Sequence, residues 1–272
     1  MNTFRYRWGH LPWETIERQV YKLQKRIYQA SLRGDTKAVH SLQRLLLKSW
    51  SAKCLAVRRV TQDNRGKNTA GIDGVKRLRP SERMALVLRL DLDLKAQPVR
   101  RVWIPKPGTT EKRGLGIPVL QDRGLQALIK LALEPEWEAK FEPNSYGFRP
   151  GRSGHDAIEE IYSAISKKPR YVLDADIAKC FDRIDHQALL TKLATIPTIE
   201  RVIKAWRNRR EYGWGNPVPV RRRNPPRGSR LAITRQYCAA WLRNSYTLAL
   251  SQVKKTEWES HRQLEALCRA LR

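Results

Sequence analysis

Residues 13–33 (WETIERQVYKLQKRIYQASLR) place Trp13, Ile16, Val20, Leu23, Ile27 and Ala30 three or four positions apart, the spacing of one helical face. Gly34-Asp35 interrupts the run, and Asp35 or Thr36 is placed to cap a second helix. Across 36–60 the period returns with Val39, Leu42, Leu46, Trp50, Leu55 and Val57. Two such helices predict an αα-hairpin with its polar positions outward. TQDNRGKNTAGIDGVK (61–76) is rich in Gly, Asn and Asp and reads as a loop leading into a third helix at 80–95.

Beyond residue 98 the pattern changes. VRRVWIPKP (99–107) and LGIPVL (115–120) have strand character and flank the turn TTEKRG (109–114), which predicts a hairpin with a basic tip. Leu125, Leu128, Ile129, Leu131, Ala132 and Leu133 give 121–140 an apolar helical face. EPNSYGFRPGRSG (142–154) is turn-rich, and a helix at 155–166, a strand at 170–177 and a helix at 186–195 come after it. Helices interleaved with short strands predict an α+β fold with a small mixed sheet. Residues 207–235 carry no period of 2 or 3.6, so little regular structure is expected there, while 236–272 regain some helical character.

Charge changes how the polar faces are read. The 272 residues hold 54 Lys+Arg against 26 Asp+Glu, a net charge of +28. Such a balance favours a polyanionic partner. The outer faces of the first two helices carry Lys22, Lys25, Arg26, Arg33, Lys37, Arg44, Lys48, Lys53, Arg58 and Arg59. A face of mixed sign would be solvated surface; this one is nearly all positive and points to nucleic-acid phosphates. An anionic membrane is the competing partner. No 18-residue apolar run occurs, and MNTFRYRWGHLP (1–12) lacks the apolar stretch of a signal peptide, so a cytoplasmic protein is expected. Cys54, Cys180, Cys238 and Cys268 lie far apart and the five histidines lack ligand spacing, which argues against a zinc site and a disulfide framework.

The acids are unevenly distributed. Asp174, Asp176, Asp182 and Asp185 fall within PRYVLDADIAKCFDRIDHQALL (169–190). On a strand, positions 174 and 176 share a face. Two carboxylates there need a positive charge between them, and Mg2+ supplies it while preferring a few carboxylate oxygens plus substrate phosphates. Capping the adjoining turn is the plainer use of an aspartate, and Asp-x-Asp alone does not decide.

The surrounding motifs do more. VYKLQKRIYQASLRGD (20–35), KSWSAKCLAVRRVTQDNRGKNTAGIDGV (48–75), RRVWIPKPGTTEKRGLGIPVLQDR (100–123), SYGFRPGRS (145–153) and YVLDADIAKCFDRIDH (171–186) stand in the order found in reverse transcriptases encoded by group II introns, also called maturases. The sequence resembles that family over roughly residues 10–206. The resemblance implies an N-terminal helical extension at 1–95, then the fingers and part of the palm of a right-hand reverse transcriptase at 96–206. It implies templated DNA synthesis on RNA, with intron RNA, a DNA primer and dNTPs as partners, and a second role in intron folding. Matched to the family's motifs, Asp176 is the metal-binding aspartate and the Ile177 carbonyl completes that ion's shell. Phe181 is the aromatic that excludes a 2′-hydroxyl, while Lys106 and Arg113, assisted by Arg100, grip the triphosphate. Arg149 matches a template or primer contact. Lys22, Arg26, Lys48 and Arg58 are the expected RNA contacts of the extension, which as a fragment of residues 1–95 is expected to bind structured RNA.

The resemblance also fails at a defined place. The family holds two metals between the palm aspartate and a later Tyr-Ala-Asp-Asp hairpin, whereas these residues contain no Asp-Asp and no aspartate after Asp185. NPPRG (224–228) and ITRQYCAAW (233–241) stand where the family has Thr-Pro-Gln-Gly and Leu-Leu-Ala-Asn-Ile-Ala-Leu-His-Gly. Codons exist for both segments that spell the family's residues when read one base later, with the spacing kept. A frameshift between about Trp206 and Asn224 is therefore expected, making 207–272 an out-of-frame tail whose Arg221, Arg222 and Arg223 are a coding accident. A truncated reverse transcriptase inactive alone, a non-catalytic intron-RNA-binding module and an inert pseudogene product are the three functional expectations.

Overall fold

The computed structural model describes residues 7–93, 95–105, 108, 110, 112–166, 184–207 and 211–213. The strand expected at 170–177 and the tail beyond Gly213 lie outside them. The described residues fall into two compact units, one within Met1–Ala139 and Thr195–Pro226, the other within Lys140–Ala194.

In the first unit, α1 (Trp13–Leu32), α2 (Thr36–Lys48) and α3 (Trp50–Arg58) precede α4 (Pro80–Arg89), β1 (Val99–Pro105), β2 (Lys112–Ile117), α5 (Leu120–Glu138), α8 (Pro197–Arg207) and β3 (Glu211–Gly213). The periodicity places α1 correctly: Ile16, Val20, Ile27 and Ala30 are buried. Asp35 is the cap of α2, its carboxylate accepting the Ala38 N–H at 2.9 Å. The single helix expected over 36–60 is broken at Ser49, whose backbone is extended and whose hydroxyl faces the Ala52 N–H to start α3. A hydroxyl that satisfies a first-turn N–H stabilises a new helix start. After α3 the backbone widens into a π-helical turn, Arg59–Asp63. The third helix ends at Arg89, six residues short of expectation, because Leu90 turns extended and is itself fully buried.

α5 is the centre of the unit. Leu125, Leu128, Ile129, Leu131 and Ala132 join Ile16, Val20 and Ile27 of α1, Val39, Leu46 and Leu47 of α2, and Ala52 and Val57 of α3 in one apolar cluster. Polar ties cross the same contact. Gln43 Nε2 donates to Glu136 Oε2 at 2.7 Å, Ser31 Oγ to the Glu136 carbonyl at 2.9 Å, and Gln24 Nε2 to the Leu131 carbonyl at 3.0 Å. α8, which the sequence reading does not place, adds Ile199 and Val202 to the cluster.

The core therefore runs across residue 95, and the segments 1–95 and 96–206 share it. A 1–95 fragment would leave the α5-facing side chains of α1, α2 and α3 in water. We expect that fragment to melt without a cooperative transition by circular dichroism. In the full chain, Leu128→Ala should cost about 2–5 kcal/mol in a denaturant titration, as for other buried Leu→Ala changes.

The sheet has the order β2-β1-β3. β1 and β2 form an antiparallel hairpin as expected, with Arg100 opposite Ile117, Trp103 opposite Gly114 and Pro105 opposite Lys112. The second strand, however, is Lys112–Ile117 and not 115–120: Lys112, Arg113 and Gly114 of the expected turn pair with β1, and Pro118, which has no N–H for a ladder, follows the strand's end. β3 pairs parallel with β1, Val99 opposite Glu211, so three residues in the expected irregular segment are ordered. A sheet edge presents unpaired backbone groups that need no side-chain pattern in the strand they accept.

The second unit contains α6 (Gly154–Ile165) and α7 (His186–Leu193). Ser153 and Asp156 cap α6 reciprocally: the Ser153 backbone N–H and hydroxyl donate to Asp156 Oδ2 at 2.6 and 2.7 Å. Asp185 caps α7 by accepting the Ala188 N–H at 2.6 Å, a structural use for one of the clustered acids.

Candidate nucleic-acid interface

Two stripes of cation emerge from α1 and α2. On α1, Lys22, Lys25 and Arg26 are exposed, as is Arg33 at its C-cap, and on α2, Lys37, Arg44 and Lys48. Among the described residues these seven make no ion pair. The first stripe is spaced i, i+3, i+4 and i+11 and the second i, i+7 and i+11, so the charges of each lie along one side of the helix surface. Unneutralised charge held at fixed spacing is what releases counterions when phosphates bind.

Arg58 differs. Its Nη1 lies 2.9 Å from Glu17 Oε1, its Nε 3.7 Å from Asp63 Oδ1, and its guanidinium stacks 4.7 Å from the Trp13 ring centroid. Trp13 in turn meets Trp8 edge to face at 5.1 Å, and the Trp8 indole donates to Gln62 Oε1 at 2.8 Å. Arg58 thus ties α1 to the π-helical turn, and two carboxylates already oppose its charge.

The loop 64–76 is fixed to the start of α5 by Arg123. Its Nη1 donates to the Gly66 carbonyl at 2.7 Å and its Nη2 to the Thr69 carbonyl at 2.6 Å. Gly71 lies against α5's entry so closely that a Cβ would stand 2.7 Å from the Val119 Cα. Burial lowers the Arg123 pKa; Asp73 opposes that shift and the nearby Arg100 adds to it. The Arg100 Nε is itself buried without a hydrogen-bond partner among the described residues. The Arg123 Nε is in the same state, and two neighbouring guanidinium groups, each with an unsatisfied donor, form a place where an anion would be stabilised. Arg123→Ala should lose the two carbonyl contacts, cost about 2 kcal/mol or more, and open 64–76 to limited proteolysis; unchanged cleavage there would contradict the clamp.

Arg149 is buried. Its Nη1 donates to the Ser145 carbonyl at 2.9 Å and also to the Glu142 carbonyl, and the guanidinium lies 5.4 Å from the Phe141 ring centroid. These contacts hold its own loop together, and nothing in the spacing of SYGFRPGRS signals that inward turn. Lys106, Asp176, Ile177 and Phe181 lie outside the described residues, and Arg113 is placed only as a backbone position in β2. Arg123 and Gly71 are functional-looking residues that the sequence reading does not single out.

Among the described residues no group of three His, Cys, Asp or Glu side chains could hold a metal. The donors that the resemblance offers Mg2+ are one carboxylate, Asp176, and one carbonyl, that of Ile177. Two ions flanking a phosphoryl centre need carboxylates from a second place, and no aspartate follows Asp185. The donor set does not fit the two-metal group. Nor is any helix of the described residues long and apolar enough to cross a membrane.

Comparison with known proteins agrees in position with these features. Residues 8–90 match the profile of the N-terminal domain of reverse transcriptase, and residues 104–232 that of reverse transcriptase (RNA-dependent DNA polymerase). The second match runs past Trp206 into the expected out-of-frame tail. Protein YkfC of Escherichia coli (strain K12) is 32% identical over 182 residues, 63% of this chain and 47% of that protein. Group II intron-encoded protein LtrA of Lactococcus lactis subsp. cremoris is 42% identical over 94 residues, covering 35% and 16% respectively. Maturase-like protein 1 of Euglena gracilis is 35% identical over 148 residues, covering 50% and 30%. The chain spans less than half the length of each of these relatives.

Proposed function

Because this chain belongs to the group II intron reverse transcriptase/maturase family, we propose that it is a frameshifted member that binds intron RNA and does not polymerise DNA by itself. The observation that carries the RNA-binding half is the pair of unneutralised cation stripes on α1 and α2. The inactive half rests on the absence of Asp-Asp from all 272 residues. In this reading the β1–β2 hairpin is the fingers element, with Lys106, Arg113 and Arg100 facing a nucleotide triphosphate, and Arg100 beside Arg123 supports an anion site there. Phe181 would select the sugar, Asp176 and Ile177 would hold a single divalent ion, and the product would act in the cytoplasm.

The test is filter binding of the full chain to a structured RNA over a series of salt concentrations. Binding that weakens steeply with salt supports the reading. No binding at low salt would leave an inert product of a decayed gene, the reading that the loss of frame favours.

A further inference from the structure

The β1–β2 hairpin has two faces, and the nucleotide reading uses one of them. The register sets Arg100 opposite Ile117 and Ile104 opposite Arg113, so positions 100, 104 and 113 share a face, while Arg101, Trp103, Pro105, Lys112, Gly114 and Gly116 belong to the other. On that second face the Arg101 guanidinium lies 5.0 Å from the Trp103 ring centroid. Gly114, directly across the ladder, makes room: a Cβ there would stand 3.1 Å from Arg101 Nε and 3.4 Å from Trp103 Cζ3. Even so, Trp103 stays 56% exposed, and Lys112 on the same face is exposed too.

An indole steadied by a stacked guanidinium and left open on a cationic strand offers what an unpaired base needs. Every base has a π-face, and nearby cations meet the backbone phosphates that flank it. A protein partner would want a broad apolar surround for the indole; here its neighbours on this face are two glycines, two cations and one proline. We infer that this face binds single-stranded RNA by stacking an unpaired base on Trp103, with Arg101 positioning the ring and Lys112 meeting the backbone. The inference rests on the RNA-binding reading and extends it to a second surface, opposite the nucleotide face.

The experiment compares a twelve-nucleotide oligouridylate with a twelve-base-pair RNA duplex, each titrated into the full chain at low salt. Stacking of one base on an aromatic side chain is worth about a 5- to 100-fold change in affinity. Trp103→Ala should lose that much for the oligouridylate and stay within about twofold for the duplex, whose paired bases expose no face. Trp103→Phe should recover most of the loss. Gly114→Val, which would push Arg101 and Trp103 aside, should resemble Trp103→Ala, with thermal melts confirming that both variants fold. Equal losses on both RNAs, or no loss on either, would overturn the inference while leaving salt-dependent binding by α1 and α2 intact. So would a Trp103→Ala effect confined to sedimentation, since a second copy would then cover the indole. Failure of the wild-type chain to bind either RNA would take down the RNA-binding reading as well.

Discussion

Given a primed RNA template, Mg2+ and all four dNTPs, the purified full chain is expected to extend no primer above background. Removing a single preorganised contact to a developing charge typically costs about 10²–10³ in kcat. Here the Tyr-Ala-Asp-Asp that carries the family's second set of carboxylates is absent from the 272 residues, and no aspartate follows Asp185. One carboxylate cannot hold both ions of an in-line displacement, one activating the attacking 3′-oxygen and one stabilising the leaving pyrophosphate. Extension that rises above background and disappears with Asp176→Ala would contradict the expectation and require an acid from elsewhere in the chain.

The second large effect concerns RNA affinity. Reversing Lys22, Arg26 and Lys48 together to Glu should lower affinity for structured RNA at least about 100-fold at low salt and flatten log K against log salt by about 2–3 units, close to one per lost phosphate contact. Changing Arg221, Arg222 and Arg223 to Glu should cost at least tenfold less, roughly the effect of net charge alone. The three helical cations are exposed, regularly spaced and unpaired among the described residues. Arg58 is left out of the set because reversing it would place a carboxylate beside Glu17 and Asp63. Its loss would report on folding as much as on binding. Base sequence should matter little, because side chains do not read the narrow major groove of A-form RNA. If the Arg221–Arg223 change were the more damaging one, the tail would be a selected part of the protein.

Much of the fold is legible in the sequence where a period repeats. α1, β1, α5, α6 and α7 stand where apolar spacing and turn residues put them, while β2 starts three residues early because Lys112, Arg113 and Gly114 pair with β1 although they read as turn. The break at Ser49 escapes because Trp50, Leu55 and Val57 continue an apolar run on both sides of it, and only the serine betrays a new helix start. α8 escapes for the opposite reason: Pro197 reads as an end, although proline is equally suited to the first turn of a helix. The site is less legible than the fold. Which cations stay open depends on where carboxylates arrive from distant segments, as Glu17 and Asp63 do at Arg58. The Arg123 clamp joins residues 57 and 54 positions apart. The inward turn of Arg149 follows from loop closure, which leaves no spacing in a sequence.

Loss of the reading frame after about Trp206 can be read off the nucleotide sequence of the gene from codon 200 onward. Removing one base, or adding two, between the codons of Trp206 and Asn224 should restore a frame reading Thr-Pro-Gln-Gly, then Leu-Leu-Ala-Asn-Ile-Ala-Leu-His-Gly, and further on a Tyr-Ala-Asp-Asp. Codons at 224–241 that cannot spell those residues one base later would contradict it, and residues 207–272 would then have to be read as a genuine, selected tail.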